Sequence, residues 1–294
     1  MKVEAECAAC IVHRGCAEAI EATTNPALRF RAMAELLRLL SREFKPTAVP
    51  ARLGTKRDRL IKRVTGNDDP YKRSKRISNE KALKLLPSVR KIVEEGFAQQ
   101  DRFKKACLCA IVGNIMEFHI PGHRFTFRSL RKTFKNSEKD LVIDDINKVY
   151  ELAKKAHTVL YLVDNAGEIV FDKLLVEQLK NMGVEVIVGV KGGPVLNDAT
   201  LEDAEASGIG KIADKIITTG TDAVGLSLKE VSVEFSEVYN SVDLIFAKGM
   251  GYAETLTEYK LKKPHALLFR TKCNPVANYF SVPRDKNVAM LMPQ

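Results

Sequence analysis

Residues 158–168, which read TVLYLVDNAGE, contain the transition that decides the fold. The first six residues are β-branched or aliphatic apart from one tyrosine, as is typical of strands buried on both faces. The run ends without a spacer at Asp164 and Asn165, and Gly167 then permits a tight turn. Glu168 suits the first turn of a helix, where negative charge lies near exposed backbone N–H groups. The stretch predicts a strand, a polar loop and a helix in succession.

The same alternation continues to the end of the chain. Residues 169–182 carry apolar side chains at helical spacing, and Gly183 is placed to end that helix. Strands that alternate with helices indicate a parallel sheet covered on both faces. The other strand-like runs are residues 184–190, 215–218, 243–247, 266–269 and 288–291.

The first half of the chain has helical periodicity instead. Proline and glycine interrupt it at Pro46, Pro50 and the stretch 66–70. We therefore predict an all-helical domain over residues 1–145 and an α/β domain over residues 146–294. Apolar residues at helical spacing include Ala32, Leu36, Leu37 and Leu40, and then Ala82, Leu85, Leu86, Val89 and Ile92.

Composition places the chain among globular proteins. With 294 residues, 45% of them hydrophobic, it has enough apolar sequence for a buried core. It contains no uninterrupted apolar stretch of about 18 residues and starts without a leader-like segment, so we expect no membrane contact and a cytoplasmic location. Six cysteines are few for this length, and we expect them to be reduced thiols.

The formal net charge of +10 admits more than one interpretation. Much of the excess lies between Arg42 and Arg76. Clustered Lys and Arg bind nucleic acids by releasing counterions, but a solvated helical face or the attraction of small anionic substrates explains such runs as well. Because basic and aromatic residues are not interleaved as in a stacking platform, we do not expect nucleic acid to be the partner.

Polar residues at strand ends are the candidates for chemistry, because ligands of open α/β sheets bind beyond the carboxyl ends of the strands. Asp164, Asn165 and Asp198 offer carboxylate and amide oxygens, which hard divalent cations prefer. Each loop taken alone is equally well explained as a helix cap. Two acidic junctions at neighbouring strand ends would converge, which favours a metal site.

Three cations follow later strands and suggest a phosphate clamp. Lys248, Arg270 and Lys272 would neutralise phosphoryl oxygens beside a bound metal. Gly249 and Gly251 would let backbone N–H groups approach the ligand, although glycines after strands also mark simple turns.

The amino-terminal cysteines remain open. Cys7, Cys10, His13 and Cys16 suit zinc by residue type, but their spacing along one helix forms a stripe that does not wrap a tetrahedral ion. Thiols packed beside the core explain Cys7 and Cys10 as well. The chain has no dinucleotide fingerprint after its first strand, no P-loop and no nucleophile elbow, so those enzyme classes are disfavoured.

Taken together, six motifs in order resemble the DUF89 family, also called damage-control phosphatases. The amino-terminal C-x-x-C is similar to that of the archaeal-type branch, and the motifs span nearly the whole chain. They are C-x-x-C at 7–10, GNIMEF at 113–118, DNAGE at 164–168, GPVLNDAT at 193–200, KGMGYAE at 248–254 and RTKC at 270–273.

The resemblance implies a helical amino-terminal region packed on a Rossmann-like α/β core. It implies hydrolysis of small phosphomonoesters that depends on Mn²⁺, Ni²⁺ or Co²⁺, with Mg²⁺ as a further candidate. The substrates would be sugar phosphates such as fructose 1-phosphate, or normal or damaged nucleotides, in the context of metabolite damage control.

The resemblance also implies roles for individual residues. Asp164, Asn165 and Asp198 match metal ligands, Glu168 matches a substrate contact, and Lys272 matches a phosphate contact. The final motif departs from the R-T-x-K spacing of the eukaryotic branch. Residues 249–254, which include Gly249, Gly251 and Tyr252, match a substrate-binding loop. Asn114 and Glu117 fall in a motif that caps the pocket or serves packing. Cys7 and Cys10 match cysteines on which the archaeal-type branch depends.

Two mechanisms and two other functions stay open at this level. A metal-activated water is the preferred nucleophile, and direct attack by Asp164 to form an aspartyl phosphate is the variant. The other functions are an S-adenosylmethionine-dependent carboxyl methyltransferase on the same scaffold and a basic nucleic-acid-binding protein. The sequence leaves the substrate, the metal and the oligomeric state open.

Overall fold

The structure, a computed structural model, describes residues 1–114, 133–134 and 136–292. Its first described part is helical, as predicted. The helices are α1 (Ala5–Ala22), α2 (Pro26–Glu43), α3 (Pro50–Thr65), α4 (Lys72–Glu94) and α5 (Gln99–Gly113).

Local sequence explains where these helices begin and end. The Asn25 side chain accepts a hydrogen bond from Ala27 N at 2.9 Å, which caps α2 ahead of Pro26 at its first position. Pro50 takes the corresponding position in α3. Gly66, at φ 71°, ends α3 in the left-handed conformation that glycine adopts without steric cost.

Seven strands form one sheet in the described part of the chain. The strands are β1 (Leu141–Asp144), β2 (Thr158–Leu162), β3 (Glu185–Val190), β4 (Lys215–Thr218), β5 (Leu244–Lys248), β6 (His265–Arg270) and β7 (Asn287–Met292). The helices that follow are α6 (Ile146–Ala153), α7 (Glu168–Lys180), α8 (Leu201–Ser207), α9 (Val233–Ser241), α10 (Met250–Leu256) and α11 (Asn274–Tyr279). Each of the six strands predicted from the sequence is present, which confirms the α/β class.

The strand order is β1-β7-β6-β5-β2-β3-β4. Strands β2 to β6 are mutually parallel, whereas β7 runs antiparallel to β6 and β1 pairs in parallel with β7. The chain winds from β2 outward through β3 to β4, and then returns to place β5 on the other side of β2. The switch point, where open α/β sheets form their ligand crevice, therefore lies between β2 and β5.

The prediction that residues 1–145 are entirely helical is wrong at one place, because Leu141–Asp144 form strand β1. Its burial alternates residue by residue, as expected at the edge of a sheet. Four residues are too few to show a period in the sequence, and pairing with β7 decides their conformation. The division into two domains at residue 145 stays a prediction.

The hydrophobic core does not follow the division between helical and α/β sequence. Buried residues of α4 and α5 share one cluster with β2, β3 and α7, and the Phe103 ring of α5 lies 6.5 Å from that of Phe246 in β5. Helices α1 to α3 have a separate, smaller cluster built around Ala32, Leu36 and Ile61. Helices α4 and α5 thus form a layer that shares the core of the sheet. Helices α1–α3 form a distinct helical unit above it. None of the described helices has the length and apolar character needed to cross a membrane.

Candidate active site

A cavity of about 260 Å³ lies beyond the carboxyl ends of β2, β3, β5 and β6, at the switch point. Its floor consists of strand-end loops, and α1 and α3 provide its roof. The floor includes Asn114, Asp164, Asn165, Leu196, Asn197, Asp198, Met250, Gly251, Lys272 and Cys273, and the roof includes Cys7, Cys10, Ile11, Arg14, Pro50, Ala51, Gly54 and Arg57.

Asp164 lies at the bottom of this cavity, directly after β2. Its Oδ2 accepts hydrogen bonds from Asn114 Nδ2 at 2.7 Å and from Asn165 Nδ2 at 2.8 Å. Burial, followed by the charges of Glu168 and Asp198, raises its pKa well above the ordinary value. The charges of Lys272 and Lys248 act in the opposite direction but do not outweigh burial and the two acidic neighbours.

Asp198 is brought to Asp164 by hydrogen bonds between the two loops. Ala199 N donates to Asp164 O at 2.8 Å, Ala166 N donates to Asn197 O at 2.9 Å, and Asn165 forms an antiparallel bridge with Asp198. The two acidic junctions converge, as expected from the strand-end rule. Two unrelated helix caps would have no reason to pair in this way.

Lys191 lies behind Asp198, and the sequence interpretation did not single it out. Its Nζ is 3.5 Å from Asp198 Oδ2, donates to the carbonyl oxygens of Ala223 and Gly225 at 2.9 and 2.6 Å, and lies 4.8 Å from the centre of the Tyr252 ring. Burial raises the pKa of Asp198 to about 6, although the charge of Lys191 acts in the opposite direction. The sequence signal was the position of a lysine directly after a buried strand.

Lys248 has a different place from the one predicted. Its side chain is fully buried, and its Nζ donates to Glu168 Oε1 at 2.5 Å, Asp172 Oδ1 at 2.9 Å and Ala110 O at 2.8 Å. The predicted direct contact with phosphate is therefore not available to it. The reason is that Glu168 and Asp172, one helical turn apart on α7, surround the ammonium group. Lys248 instead supports Glu168 from behind.

Glu168 connects this buried pair to the floor of the cavity. Its Oε2 accepts from Asn114 Nδ2 at 2.5 Å and from Asn165 Nδ2 at 3.1 Å, the same two amides that hold Asp164. The amide of Asn114 thereby bridges the two carboxylates. Glu117, the other residue of that motif, lies outside the described residues.

Arg270, the last residue of β6, and Lys272, which follows the strand, point in different directions. Lys272 lines the cavity, and its Nζ donates to Asn114 O at 2.9 Å. Arg270 does not reach the cavity, which corrects its predicted place in the clamp; its Nη1 donates to Asn287 Oδ1 at 2.8 Å and lies 3.4 Å from Asp140 Oδ2. Arg270 lies opposite Asn287 in the β6–β7 ladder, and this pairing directs its side chain toward β7.

Gly249 contributes space, not a hydrogen bond to a ligand. Its N–H donates to Leu268 O at 2.9 Å within the sheet, so the predicted approach of this amide to a ligand is not available. Its φ is +87°, and a Cβ at this position would overlap the Asp164 carboxylate. Gly251 lines the cavity, whereas Tyr252 is buried beneath Lys191.

The Gly249→Ala variant tests this close approach. We expect kcat/KM for the hydrolysis that the motifs imply to fall by about 10²-fold, because displacing a reacting group by about 1 Å has an effect of that size. Gly183→Ala is the matched control, since Gly183 has a φ of +82° and nothing within 4 Å of its added Cβ. Gly183→Ala should lose about 1–2 kcal/mol of stability from its positive φ alone. Gly249→Ala should lose more, because its added Cβ also overlaps the Asp164 carboxylate. Equal activities of the two variants would contradict the assignment.

The amino-terminal cysteines line the cavity but do not form a metal site in this structure. Cys7 is buried, Cys10 is exposed, and burial raises the pKa of the Cys7 thiol. Cys273 adjoins them from the floor, and burial raises its pKa to about 11. A role for the C-x-x-C pair stays a prediction. Within the described residues, no group of three or more His, Cys, Asp and Glu side chains is arranged to hold a metal ion, and this includes Cys7, Cys10, His13 and Cys16.

The donor chemistry of the floor nevertheless fits a hard divalent cation. The predicted ligand set consists of the carboxylates of Asp164 and Asp198 and the side-chain amide of Asn165. Only two of these three ligands are His, Cys, Asp or Glu residues. Burial raises the pKa of both carboxyl groups, most strongly for Asp164, which also feels the charge of Asp198. A bound cation would supply the missing positive charge and stabilise both ionised forms.

Several cations of the basic helical segment have acidic partners. Arg57 pairs with Glu18, Arg59 with Asp222 and Glu230, and Lys75 with Asp69. Arg57 thus holds α3 to α1, and Arg59 holds α3 to the loop after β4, so part of the charge that suggested a nucleic-acid surface has a structural role.

Comparison with known proteins finds similarity over almost the full length of this chain. A family profile described as the damage-control phosphatase ARMT1-like domain matches residues 3–288. An uncharacterized protein of Methanocaldococcus jannaschii is 38% identical over 294 residues, which are 99% of this chain and 95% of that protein.

Two further relatives carry a functional name. A damage-control phosphatase of Pyrococcus horikoshii is 36% identical over 293 residues, covering 99% of this chain and 98% of the relative. A damage-control phosphatase of Archaeoglobus fulgidus is 35% identical over 283 residues, or 96% of each protein. The crystal structure of a DUF89 family protein from Pyrococcus horikoshii superimposes with a TM-score of 0.89 at 35% identity, covering 99% of both chains.

Proposed function

The chain belongs to the damage-control phosphatase ARMT1-like family, and from that membership we propose that it hydrolyses small phosphomonoesters with the help of a divalent metal ion. The observation that carries the metal is the convergence of Asp164 and Asp198 at the switch point, with the pKa of each raised mainly by burial. Sugar phosphates and normal or damaged nucleotides are the proposed substrates, in the cytoplasm.

Asp164, Asn165 and Asp198 are the residues that would hold the ion. Mn²⁺, Ni²⁺ and Co²⁺ are the first candidates and Mg²⁺ is a further one. When bound, such an ion polarises a phosphoryl oxygen and lowers the pKa of a coordinated water.

The remaining residues of the floor orient and neutralise the substrate. Lys272 lines the floor of the cavity, as Asp164 does, and it would neutralise phosphoryl oxygens as their charge develops. Lys248 holds Glu168, and Lys191 holds Asp198, so both carboxylates are fixed before substrate arrives. The leaving group would occupy the space beneath α1 and α3, next to Ile11 and Pro50.

Metal removal tests the proposal directly. Protein stripped with EDTA is expected to release no phosphate from a panel of sugar phosphates and nucleotides. Addition of Mn²⁺, Ni²⁺ or Co²⁺ should restore release and also raise the melting temperature of the protein, because a ligand that binds only the folded state stabilises it. Unchanged release after complete metal removal, verified by elemental analysis, would contradict metal dependence.

A further inference from the structure

Helix α3 contacts the loop after β3 at two points. Asp58, which is fully buried, accepts a hydrogen bond from Leu196 N at 3.0 Å through Oδ1. Lys62, one turn later, donates to Pro194 O at 2.6 Å. The two side chains also contact each other, since Lys62 Nζ is 2.8 Å from Asp58 Oδ2. An ion pair of α3, in which Asp58 is buried and Lys62 is half-buried, thus holds the backbone on both sides of Val195.

The loop segment that Asp58 and Lys62 hold has a strained backbone and leads to Asp198. Leu196 has a φ of 48°, in the left-handed region that a leucine rarely adopts. Leu196 lies within a turn that is closed by Asp198 N, which donates to Val195 O at 3.0 Å. Without an external hydrogen bond to Leu196 N, a leucine at this place would favour an extended backbone, and the Asp198 carboxylate would move with it.

A corresponding contact fixes the other loop, but from α4. Asn79 is buried, its Oδ1 accepts from Gly167 N at 2.6 Å, and its Nδ2 donates to Asp203 Oδ1 at 2.8 Å. The loop of Asp164 therefore takes its position from a helix that belongs to the main core. The loop of Asp198 is held in addition by α3, which belongs to the separate unit above the sheet.

We propose that Asp58, together with Lys62, is a positioning residue that holds the strained Leu196 backbone and thereby sets the place of Asp198 relative to Asp164. The proposal rests on the proposed function insofar as Asp198 is a metal ligand. Asp58 touches neither the reacting atoms nor the ion. Its effect passes through one backbone N–H.

The experiment compares three variants of α3. Asp58→Ala removes the acceptor of the Leu196 N–H, and Asp58→Asn retains an acceptor oxygen without the charge. Leu60→Ala is the matched control, because Leu60 is a buried residue of the α1–α3 core and its truncation destabilises the same helix without removing this contact. Lys62→Met removes the second contact and serves as an independent variant if Asp58→Ala fails to fold.

Two measurements are made: hydrogen exchange of the metal-free protein and calorimetric titration with Mn²⁺. Hydrogen exchange at the Leu196 amide should speed up in Asp58→Ala and not in Leu60→Ala, with Asp58→Asn restoring protection. Calorimetric titration with Mn²⁺ should show affinity lowered by about 10–100-fold in Asp58→Ala, the effect expected for an outer residue that orients a ligand. Asp58→Asn should recover most of it.

Equal exchange and equal affinity in Asp58→Ala and Leu60→Ala would overturn the proposal. Failure of the proposed function looks different, because wild-type protein would then bind no Mn²⁺ and release no phosphate. The exchange of the Leu196 amide in metal-free protein would still decide whether Asp58 holds the loop.

Discussion

Replacement of Asp164 by asparagine is expected to lower phosphate release by about 10²–10³-fold while leaving the fold intact. Asparagine keeps an oxygen to accept the hydrogen bonds from Asn114 and Asn165, which lie 2.7 and 2.8 Å from Asp164 Oδ2. It removes the negative charge that would bind the ion. The measurement is steady-state phosphate release with Mn²⁺, beside the melting temperature of the metal-free protein.

The same variant should change how stability depends on pH. Because the pKa of Asp164 is raised by burial, metal-free folded protein retains this proton at pH values where the unfolded chain has lost it. The favourable contribution is present in acid and is lost as pH rises from about 4 through the raised pKa. Asparagine does not titrate, so the variant should gain stability relative to wild type between pH 5 and pH 8. Urea unfolding that shows a greater deficit at pH 8 would contradict the buried, uncompensated carboxylate.

Replacement of Lys248 by alanine is expected to have the largest effect on stability, about 3–5 kcal/mol, because it leaves charged partners buried and unpaired. Burial alone would lower the pKa of Lys248, but the charges of Asp172 and Glu168 outweigh it and raise that pKa. The lysine is therefore charged at neutral pH. Its loss leaves both carboxylates without their counterion.

Lys215→Ala provides the control for Lys248→Ala. Lys215 also forms an ion pair, with Glu234 at 2.7 Å, but both side chains are more than half exposed. Its removal should alter the free energy of unfolding by less than about 1 kcal/mol. Urea unfolding of the metal-free proteins measures both changes. If Lys248→Ala were as stable as wild type yet inactive, the lysine would be a substrate contact and not a structural counterion.

The sequence predicted the position of the site because position depends on topology. Strands β2 and β3 were recognisable from their apolar runs, and the carboxyl ends of neighbouring parallel strands must meet at one edge. Asp164 and Asp198 lie in the loops that follow those strands, so their convergence could be expected without knowledge of side-chain packing.

The direction of the cations could not be predicted in the same way. Lys248 and Lys272 both follow strands, yet one is buried against α7 and the other lines the cavity. The difference depends on residues elsewhere, namely the acidic pair Glu168 and Asp172. Their spacing of four along a helix was visible in the sequence, but only the packing of α7 against β5 shows which lysine they surround.

The positioning residues could not be predicted from the sequence, because they act through tertiary contacts. Asp58 and Asn79 lie within helices, in surroundings that resemble any polar helix face. Their partners, Leu196 N and Gly167 N, are more than 80 residues away in the chain. No local pattern marks a side chain that acts through so distant a backbone group.

The separate core of α1–α3 bears on how substrate choice can diverge within this family. The roof of the cavity packs around its own centre, at Ala32, Leu36 and Ile61, and not around the sheet. We therefore expect roof side chains that line the cavity, such as Ile11, to be replaceable without moving the carboxylates below. Asp58 differs, because it reaches the loop of Asp198. A change of leaving group would then require substitutions in one small helical unit.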